Sequence, residues 1–176
     1  MSAGPGSRRI VVMGVAGCGK STVATALAAT VGLRFLDSDS LHSPSNVAKM
    51  AAGIPLVDAD RWPWIDAVGT ALAEAPEPGI VVACSALKRA YRDRLRAAAP
   101  GTVFVHLDGD AGLLEQRLRA RTEHFMPATM LTSQLATLER LADDEPGAVV
   151  GIDQHIETIV SAAMDMLAAL EAMPTP

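Results

Sequence analysis

The sequence has few aromatic residues, few cysteines and no excess of positive charge. Aromatic side chains make up 3% of the 176 residues, so the core must be built from Ala, Val, Leu, Ile and Met. The two cysteines, Cys18 and Cys84, lie in unrelated contexts and form no disulfide framework. Because free thiols suit a reducing compartment, we expect a cytoplasmic protein.

Charge and hydropathy exclude two further classes. The formal net charge is -5, which disfavours a nucleic-acid-binding surface that neutralises phosphates over a wide face. No apolar run reaches the length of a membrane span, and the run at residues 10–13 is also too short for a signal peptide. A small anionic substrate stays compatible with this composition, since a few Arg and Lys residues can outweigh the global charge locally.

The remaining composition is that of a globular protein. Hydrophobic residues make up 49% of the chain and charged residues 20%. A chain of this length has room for one domain and hardly two. We therefore expect a single domain over residues 1–176, with residues 1–8 as a flexible tail.

Apolar segments of strand length alternate with longer segments of helical period. The predicted strands are residues 10–13, 34–37, 80–84, 102–107 and 148–152. The predicted helices are residues 20–31, 63–74, 87–98, 111–121, 128–142 and 156–171. Near-continuous apolar strands joined by helices predict a doubly wound α/β fold, with a parallel five-stranded sheet and helices on both faces.

Two segments interrupt this alternation. Residues 38–60 are rich in Ser, Asp, Pro and Gly, and residues 122–127 follow an arginine-rich helix. Insertions at the carboxyl ends of strands commonly form substrate loops and lids. We expect a substrate-binding insertion at about residues 38–60 and a lid at about residues 121–128.

Residues 14–21, here called the phosphate loop, read G-V-A-G-C-G-K-S and match G-x-x-x-x-G-K-[ST] between a predicted strand and a predicted helix. Backbone N–H groups of such a loop surround an anion, and the following helix adds the positive end of its dipole. Lys20 can bridge the β- and γ-phosphates of ATP, and the Ser21 hydroxyl can ligate Mg²⁺. The predicted ATP-binding residues here are Gly14, Val15, Ala16, Gly17, Cys18, Gly19, Lys20, Ser21 and Thr22.

A bound triphosphate could serve a GTPase switch, a motor ATPase or a small-molecule kinase. A switch needs a guanine-reading N-K-x-D, which is absent, and the D-x-x-G at residues 144–147 precedes a C-terminal strand. A motor ATPase usually carries an acidic pair after an apolar strand, whereas residues 80–84 are followed by Ser85-Ala86-Leu87-Lys88. These patterns favour the kinase.

The second predicted strand ends in Asp37-Ser38-Asp39. In an extended backbone, side chains two residues apart share one side, and this strand end would face the phosphate loop across a crevice. Asp37 could then hold Mg²⁺ together with Ser21, while Asp39 accepts a proton from a substrate hydroxyl. The alternative is a solvated turn.

The chain has only three lysines, and each falls in a candidate site segment: Lys20, Lys49 and Lys88. Arg117 and Arg121 lie one helical turn apart, just before the irregular segment. That placement is typical of lid arginines that neutralise charge on a transferring phosphate. The alternative is a solvated helix face that pairs with Glu115.

Arg61, His42 and His124 are further candidates, because each lies in or beside an irregular segment. The planar guanidinium of Arg61 suits a substrate carboxylate, although it could instead serve a helix start. For the two histidines a structural or surface role is equally open. His106, inside an apolar strand, and His155, at a helix start, are expected to be structural.

Taken together, these motifs resemble the P-loop gluconate kinase family, which is similar in fold to the shikimate and adenylate kinases. The resemblance runs from about residue 10 to residue 160. Its more specific parts are Cys84-Ser85-Ala86-Leu87-Lys88 and His124-Phe125-Met126-Pro127, with Ser133-Gln134 further along. It implies Mg²⁺-dependent transfer of phosphate from ATP to the terminal hydroxyl of D-gluconate, and commonly a homodimer.

The resemblance also implies roles for individual residues. Asp39 would be the base and Arg121 the lid arginine. The predicted sugar-acid site comprises Asp39, His42, Lys49, Arg61, Lys88 and His124. Arg117 would lie near the adenine and Asp153 at its edge. Three positions depart from the family pattern, Ser43-Pro44 in the substrate loop, Glu123 in the lid and Gly151 after the last strand.

Overall fold

The computed structural model describes residues 7–121 and 128–173 of the chain. Its strands are β1 (Arg8–Met13), β2 (Arg34–Asp37), β3 (Gly79–Ala83), β4 (Val103–Asp108) and β5 (Gly147–Gly151). They form one parallel sheet in the order β2-β3-β1-β4-β5. Each strand overlaps the one predicted at its place, and the predicted five-stranded parallel sheet is therefore confirmed.

Helices connect the strands and cover the sheet. They are α1 (Lys20–Val31), α2 (Pro44–Ala51), α3 (Asp58–Ala73), α4 (Arg89–Ala98), α5 (Ala111–Ala120), α6 (Ala128–Thr137) and α7 (Ile156–Ala172), with a short 3₁₀ helix at Ser38–Leu41. None of these helices combines the length and the apolar character needed to cross a bilayer.

The core has two layers, one on each face of the sheet. Val12 and Val105 belong to a buried cluster with residues of α1 and α7. Val11 and Phe104 point the other way, into a cluster with residues of α3 and α4. Because consecutive strand residues face opposite sides, the unbroken apolar runs at residues 10–13 of β1 and 80–83 of β3 require helices on both faces. The doubly wound arrangement is confirmed.

The order of the strands places the site. The chain crosses from β1 to β2 on one side of the sheet and from β3 to β4 on the other, so the direction of winding reverses beside β1. Asp37 at the end of β2 is in register with Ala83 at the end of β3, and Val12 of β1 pairs with the same residue. The carboxyl ends of three strands thus meet where doubly wound folds bind ligands.

The insertion at residues 38–60 is more regular than its composition predicts. It contains the 3₁₀ helix and α2, whose first turn begins with Pro44. The Ser43 side chain caps this helix by accepting a hydrogen bond from the Asn46 N–H at 3.1 Å. A serine cap followed by proline is a helix start, and this signal outweighs the turn-forming composition.

Two helix boundaries differ from the prediction by five residues each. Helix α3 begins at Asp58 and not at Pro63, because the Asp60 carboxylate accepts the Val57 N–H at 3.0 Å and stabilises an extra first turn. Helix α6 ends at Thr137 and not at residue 142, since the Glu139 N–H donates to the carbonyl of Leu87 at 2.7 Å. Strand β1 begins at Arg8, inside the predicted flexible tail.

Candidate active site

The phosphate loop connects β1 to α1. Gly17 and Gly19 have φ angles of 83° and 90°, a region that favours glycine. A Cβ on Gly17 would also lie 2.9 Å from Cγ of Leu118. Gly19 caps α1 without any side-chain hydrogen bond, and the first turn has no acidic residue. The N–H groups at this helix end are therefore suited to an anion such as a phosphate.

The Lys20 side chain folds back over this loop. Its ammonium donates to the carbonyl of Val15 at 3.2 Å. Lys20 also lines the crevice between the phosphate loop and the insertion, here called the main crevice. The ammonium thus lies where phosphates bound by the loop would meet it.

Ser21 and Asp37 meet at the foot of the main crevice. The Ser21 hydroxyl donates to one carboxylate oxygen of Asp37 at 2.6 Å, and the other oxygen accepts the Asp39 N–H at 3.0 Å. A hydroxyl and a carboxylate side by side are oxygen ligands of the kind that Mg²⁺ takes when it also binds phosphates. The residues present therefore fit the predicted metal ion.

Asp39 lies on the 3₁₀ helix and lines the main crevice together with Lys20 and Ser21. The Asp37 carboxylate caps the 3₁₀ helix by accepting the Asp39 N–H, which fixes the backbone of Asp39. The predicted base and the predicted phosphate-binding residues are thus brought into one crevice. Asp39 itself is exposed to solvent where it lines the crevice.

His42 also lines the main crevice. Its ring stacks on Trp64 at 4.3 Å between centroids, and its Nδ1 lies 3.3 Å from the side-chain nitrogen of Asn46. Burial lowers the pKa of His42, partly opposed by the charge of Asp39 and reinforced by that of Arg61. The ring is therefore neutral at pH 7, where it can exchange hydrogen bonds with a hydroxyl.

Arg61 reaches the same crevice from the first turn of α3. Its guanidinium donates to the Tyr91 hydroxyl at 3.2 Å and lies 3.5 Å from the Asp58 carboxylate. Tyr91 in turn donates to Asp58. These bonds hold the guanidinium at the crevice wall but leave it donors for a substrate carboxylate, since a guanidinium carries five N–H groups.

The other two predicted lysines are not among the residues that line the main crevice. Lys88 donates to both oxygens of Asp58 at 3.0 Å, and hydrogen bonds from Tyr91 and Lys88 lower the pKa of Asp58. Lys49 donates to Asp60 at 2.7 Å and ties α2 to α3. Both ammonium groups thus pair with carboxylates in the first turn of α3, outside the lining of the main crevice.

A second crevice lies on the other side of the phosphate loop. Thr22, Arg117, Arg121 and Gln154 are among its lining residues. Arg117 donates to the carbonyl of Ile152 at 2.6 Å, whereas Glu115 pairs with Arg119. This position, between α1, α5 and the start of α7, is suited to the nucleoside part of ATP.

The remaining predicted site residues are Arg121, Asp153 and His124. Arg121 lines both crevices, so it lies at their junction. Asp153 is exposed and is not among the lining residues, where its neighbour Gln154 stands instead. His124, with the rest of the predicted lid at residues 122–127, lies outside the described residues.

The structure brings to the site residues that the sequence analysis quoted in motifs but gave no role. Gln134 of α6 accepts the Ala16 N–H at 2.7 Å, and Ser85 lines the main crevice after β3. The only available signal for Gln134 was its place in the Ser133-Gln134 pair of the resemblance. Tyr91, the single tyrosine of the chain, belongs to the Tyr91-Arg92-Asp93 run of the same resemblance but was given no role.

A buried ion pair holds the loop after β3, whose Ser85 lines the main crevice. Arg92 and Glu145 are both buried, and the guanidinium donates two hydrogen bonds of 2.8 Å to the carboxylate. Arg92 also donates to the carbonyls of Ala86 and Glu139 at 3.0 Å. Burial alone would raise the pKa of Glu145, but hydrogen bonds from Arg92, the Ala142 N–H and Arg96 lower it to about 2. This network fixes the loop after β3 to the segment after α6.

Known proteins resemble the chain over most of its length. A family model described as an AAA domain matches residues 10–141, which include both sides of the main crevice. A gluconokinase of Gluconobacter oxydans (strain 621H) is 49% identical over 155 residues, covering 87% of each protein. The thermoresistant gluconokinase of Escherichia coli (strain K12) is 42% identical over 160 residues, covering 89% of this chain and 91% of that protein.

A solved structure agrees with these sequence matches. The crystal structure of a gluconokinase from Sinorhizobium meliloti 1021 superposes with a TM-score of 0.86 at 48% identity, covering 94% of this chain and 93% of that chain. Both the fold and the sequence of the present chain are thus similar to those of proteins with one named activity.

Proposed function

The chain belongs to the gluconokinase family of P-loop kinases, and we propose that it transfers the γ-phosphoryl group of ATP to the terminal hydroxyl of D-gluconate, giving 6-phospho-D-gluconate. The observation that carries the proposal is one crevice lined by Lys20, Asp39 and Arg61 in a chain 49% identical to a gluconokinase. Phosphate-binding, proton-accepting and carboxylate-binding groups then face a single small acceptor.

On the nucleotide side, the phosphate loop binds the β- and γ-phosphates through backbone N–H groups. Lys20 and Arg121 stabilise negative charge on the transferring phosphoryl group, because cations placed before the reaction cost no reorganisation during it. The adenosine part lies in the second crevice, beside Arg117, with Asp153 at its exposed edge. Support comes from the position of Arg121 at the junction of the two crevices.

Mg²⁺ is part of the proposal. Ser21 and Asp37 would hold it, since their hydroxyl and carboxylate oxygens already lie within 2.6 Å of each other. When bound, the ion supplies positive charge that offsets the phosphates. Asp37 has a second task that needs no metal, because its other oxygen orients the 3₁₀ helix that carries Asp39.

On the acceptor side, Asp39 orients the terminal hydroxyl of gluconate and accepts its proton as the oxygen attacks the γ-phosphorus. Arg61 binds the gluconate carboxylate through N–H groups that Tyr91 leaves free, and neutral His42 bonds a hydroxyl along the chain. Lys49, Lys88 and His124 remain predicted members of this site. The two lysines would act through Asp60 and Asp58, to which they are bonded.

The remaining predictions concern the protein as a whole. We propose a single domain in which residues 38–60 bind the acceptor and residues 121–128 act as the lid. We further propose a homodimer in the cytoplasm that binds neither nucleic acid nor membrane.

A coupled assay of ADP release over a panel of acceptors tests the proposed function. The panel contains D-gluconate, other aldonic acids, polyols and shikimate, with ³¹P and ¹³C NMR of the product to locate the new phosphate ester. We expect ADP release that depends on gluconate and a phosphate at its terminal carbon.

Two other outcomes would contradict the proposal. Turnover with a different acceptor would indicate a kinase of the same fold for another small hydroxy acid. Tight ATP binding without turnover on any acceptor would indicate a nucleotide-binding regulatory protein.

A further inference from the structure

Gln134 contacts the phosphate loop directly. Its side-chain oxygen Oε1 accepts the Ala16 N–H at 2.7 Å, a bond that joins residues 118 positions apart. Ala16 is the third residue of the phosphate loop, and both residues line the main crevice. One loop N–H that faces the crevice is thus already bonded to a side chain of α6.

This bond fixes the orientation of the Gln134 amide. A backbone N–H can only donate, so the oxygen end of the amide must meet Ala16 and the NH₂ end must point elsewhere. None of the described residues accepts a hydrogen bond from the side-chain nitrogen of Gln134. The amide therefore keeps its NH₂ donors available on a residue that both lines the main crevice and contacts the phosphate loop.

The element that carries Gln134 is held in place. Met130 and Leu131 on the same helix are buried. Beyond the end of the helix, the Glu139 N–H donates to Leu87 and the Glu139 carbonyl accepts from Arg92. The amide thus sits on a packed helix whose far end is tied to the acceptor side, which is the kind of support that a ligand-contacting group requires.

The chemistry of the side chain agrees with an anionic neighbour. A glutamate at this position would accept the Ala16 N–H equally well but would bring a negative charge to a phosphate site. An amide accepts from the loop at one end, carries no charge and donates at the other end. Hydrogen bonds from donors to charged oxygens are the stronger ones, so the NH₂ end gains most from a phosphate oxygen.

We propose that Gln134 contacts the terminal phosphate of the bound triphosphate. Its oxygen holds the Ala16 N–H, and its NH₂ group donates to an oxygen of the γ-phosphoryl group, so the residue distinguishes ATP from ADP. The inference rests on the proposed function only in that the nucleotide is a triphosphate.

Equilibrium binding tests the contact without turnover. Isothermal titration calorimetry with ADP and with adenosine β,γ-imidotriphosphate, both in excess Mg²⁺, is carried out on the full chain and on Gln134→Leu and Gln134→Glu. The matched control is Gln116→Leu, the same change at an exposed position of α5. A thermal melt of each variant verifies folding.

The expected result is a selective loss. In Gln134→Leu the affinity for the triphosphate analogue falls about 10-fold, the scale of one lost hydrogen bond to a charged group. Affinity for ADP is unchanged, the loss is larger in Gln134→Glu because of charge repulsion, and Gln116→Leu binds both ligands normally.

Two results would overturn the proposal. Tighter binding of the analogue by Gln134→Leu would mean that the amide only fills the loop until a phosphate displaces it. Equal losses for ADP and the analogue would mean that the amide merely maintains the loop. The binding titrations contain no acceptor, so their outcome does not depend on the gluconate assay. The gluconate assay can fail while the titrations support the contact.

Discussion

The nucleotide side and the acceptor side of the main crevice are built in different ways. On the nucleotide side, the phosphate loop is one contiguous stretch, residues 14–21, whose proposed binding groups are mostly backbone N–H groups. The acceptor side collects side chains from three separate places, Asp39 and His42 after β2, Arg61 on α3 and Ser85 after β3. The first is a local structure, whereas the second exists only when the chain has folded.

The two sides also differ in how their charges are balanced. The first turn of α1 has no acidic residue, so its positive end is left for a ligand. On the acceptor side each cation has a protein partner: Lys49 pairs with Asp60, Lys88 with Asp58 and Arg61 with Tyr91. A basic residue near a site is therefore evidence of a ligand contact only once its partners are known.

The largest expected effect is on the nucleotide side. Lys20→Ala removes a cation at the transferring phosphate, and we expect turnover to fall ~10³-fold or more. Folding should be retained, because the one hydrogen bond lost is to the Val15 carbonyl. A coupled ADP-release assay beside a thermal melt measures both, and turnover that survives would refute the phosphate-loop interpretation.

Asp39→Asn tests the acceptor side at the same crevice. The amide keeps the size of the side chain but cannot take a proton, so kcat should fall ~10²-fold or more. ATP binding should be intact, since Asp39 bonds no loop group. Asp165→Asn, an exposed change on α7, is the control, and an unchanged kcat would remove Asp39 from the role of base.

Glu145→Gln tests whether the acceptor side depends on its buried support. Breaking a buried ion pair leaves the charge of Arg92 without a partner. We therefore expect the free energy of unfolding, measured by urea denaturation at pH 7, to be about 3 kcal/mol lower. The control is Glu157→Gln, at an exposed position of α7. Similar stabilities of both variants would mean that the pair is not a support.

We also expect the effect of Glu145→Gln on stability to depend on pH. The pKa of Glu145 is about 2 in the fold against an ordinary value of 4.5, so its contribution is complete above pH 4.5 and is lost as the pH falls to about 2. The stability difference between the parent chain and Glu145→Gln should therefore shrink over that interval.

The smallest expected effects distinguish Arg61, which lines the main crevice, from Lys49, which does not. Arg61→Leu should raise KM for gluconate ~10-fold by removing charge-assisted hydrogen bonds, with KM for ATP unchanged. Lys49→Met should lower stability by less than about 1 kcal/mol, because its pair with Asp60 is partly exposed. Equal changes in gluconate KM for both would show that Lys49 also binds the acceptor.

Much of the architecture could be predicted from the sequence, because strands buried on both faces leave continuous apolar runs. One wrong boundary depends on a distant partner and the other on a local cap. Helix α6 ends where the Glu139 N–H donates to the carbonyl of Leu87, whereas α3 gains its first turn because the Asp60 carboxylate accepts the Val57 N–H. The cap of α2 was readable from Ser43 and Pro44, yet the composition of the insertion suggested a loop.

The sequence by itself determined the sheet and the phosphate loop, because each follows from residues close together in the chain or from an apolar pattern. Only the tertiary structure decided which cations line the crevice and that Gln134 lies on the phosphate loop. The physical reason is that a charged or amide side chain is defined by its partners. Those partners lie 11 to 118 positions away, where no local pattern records them.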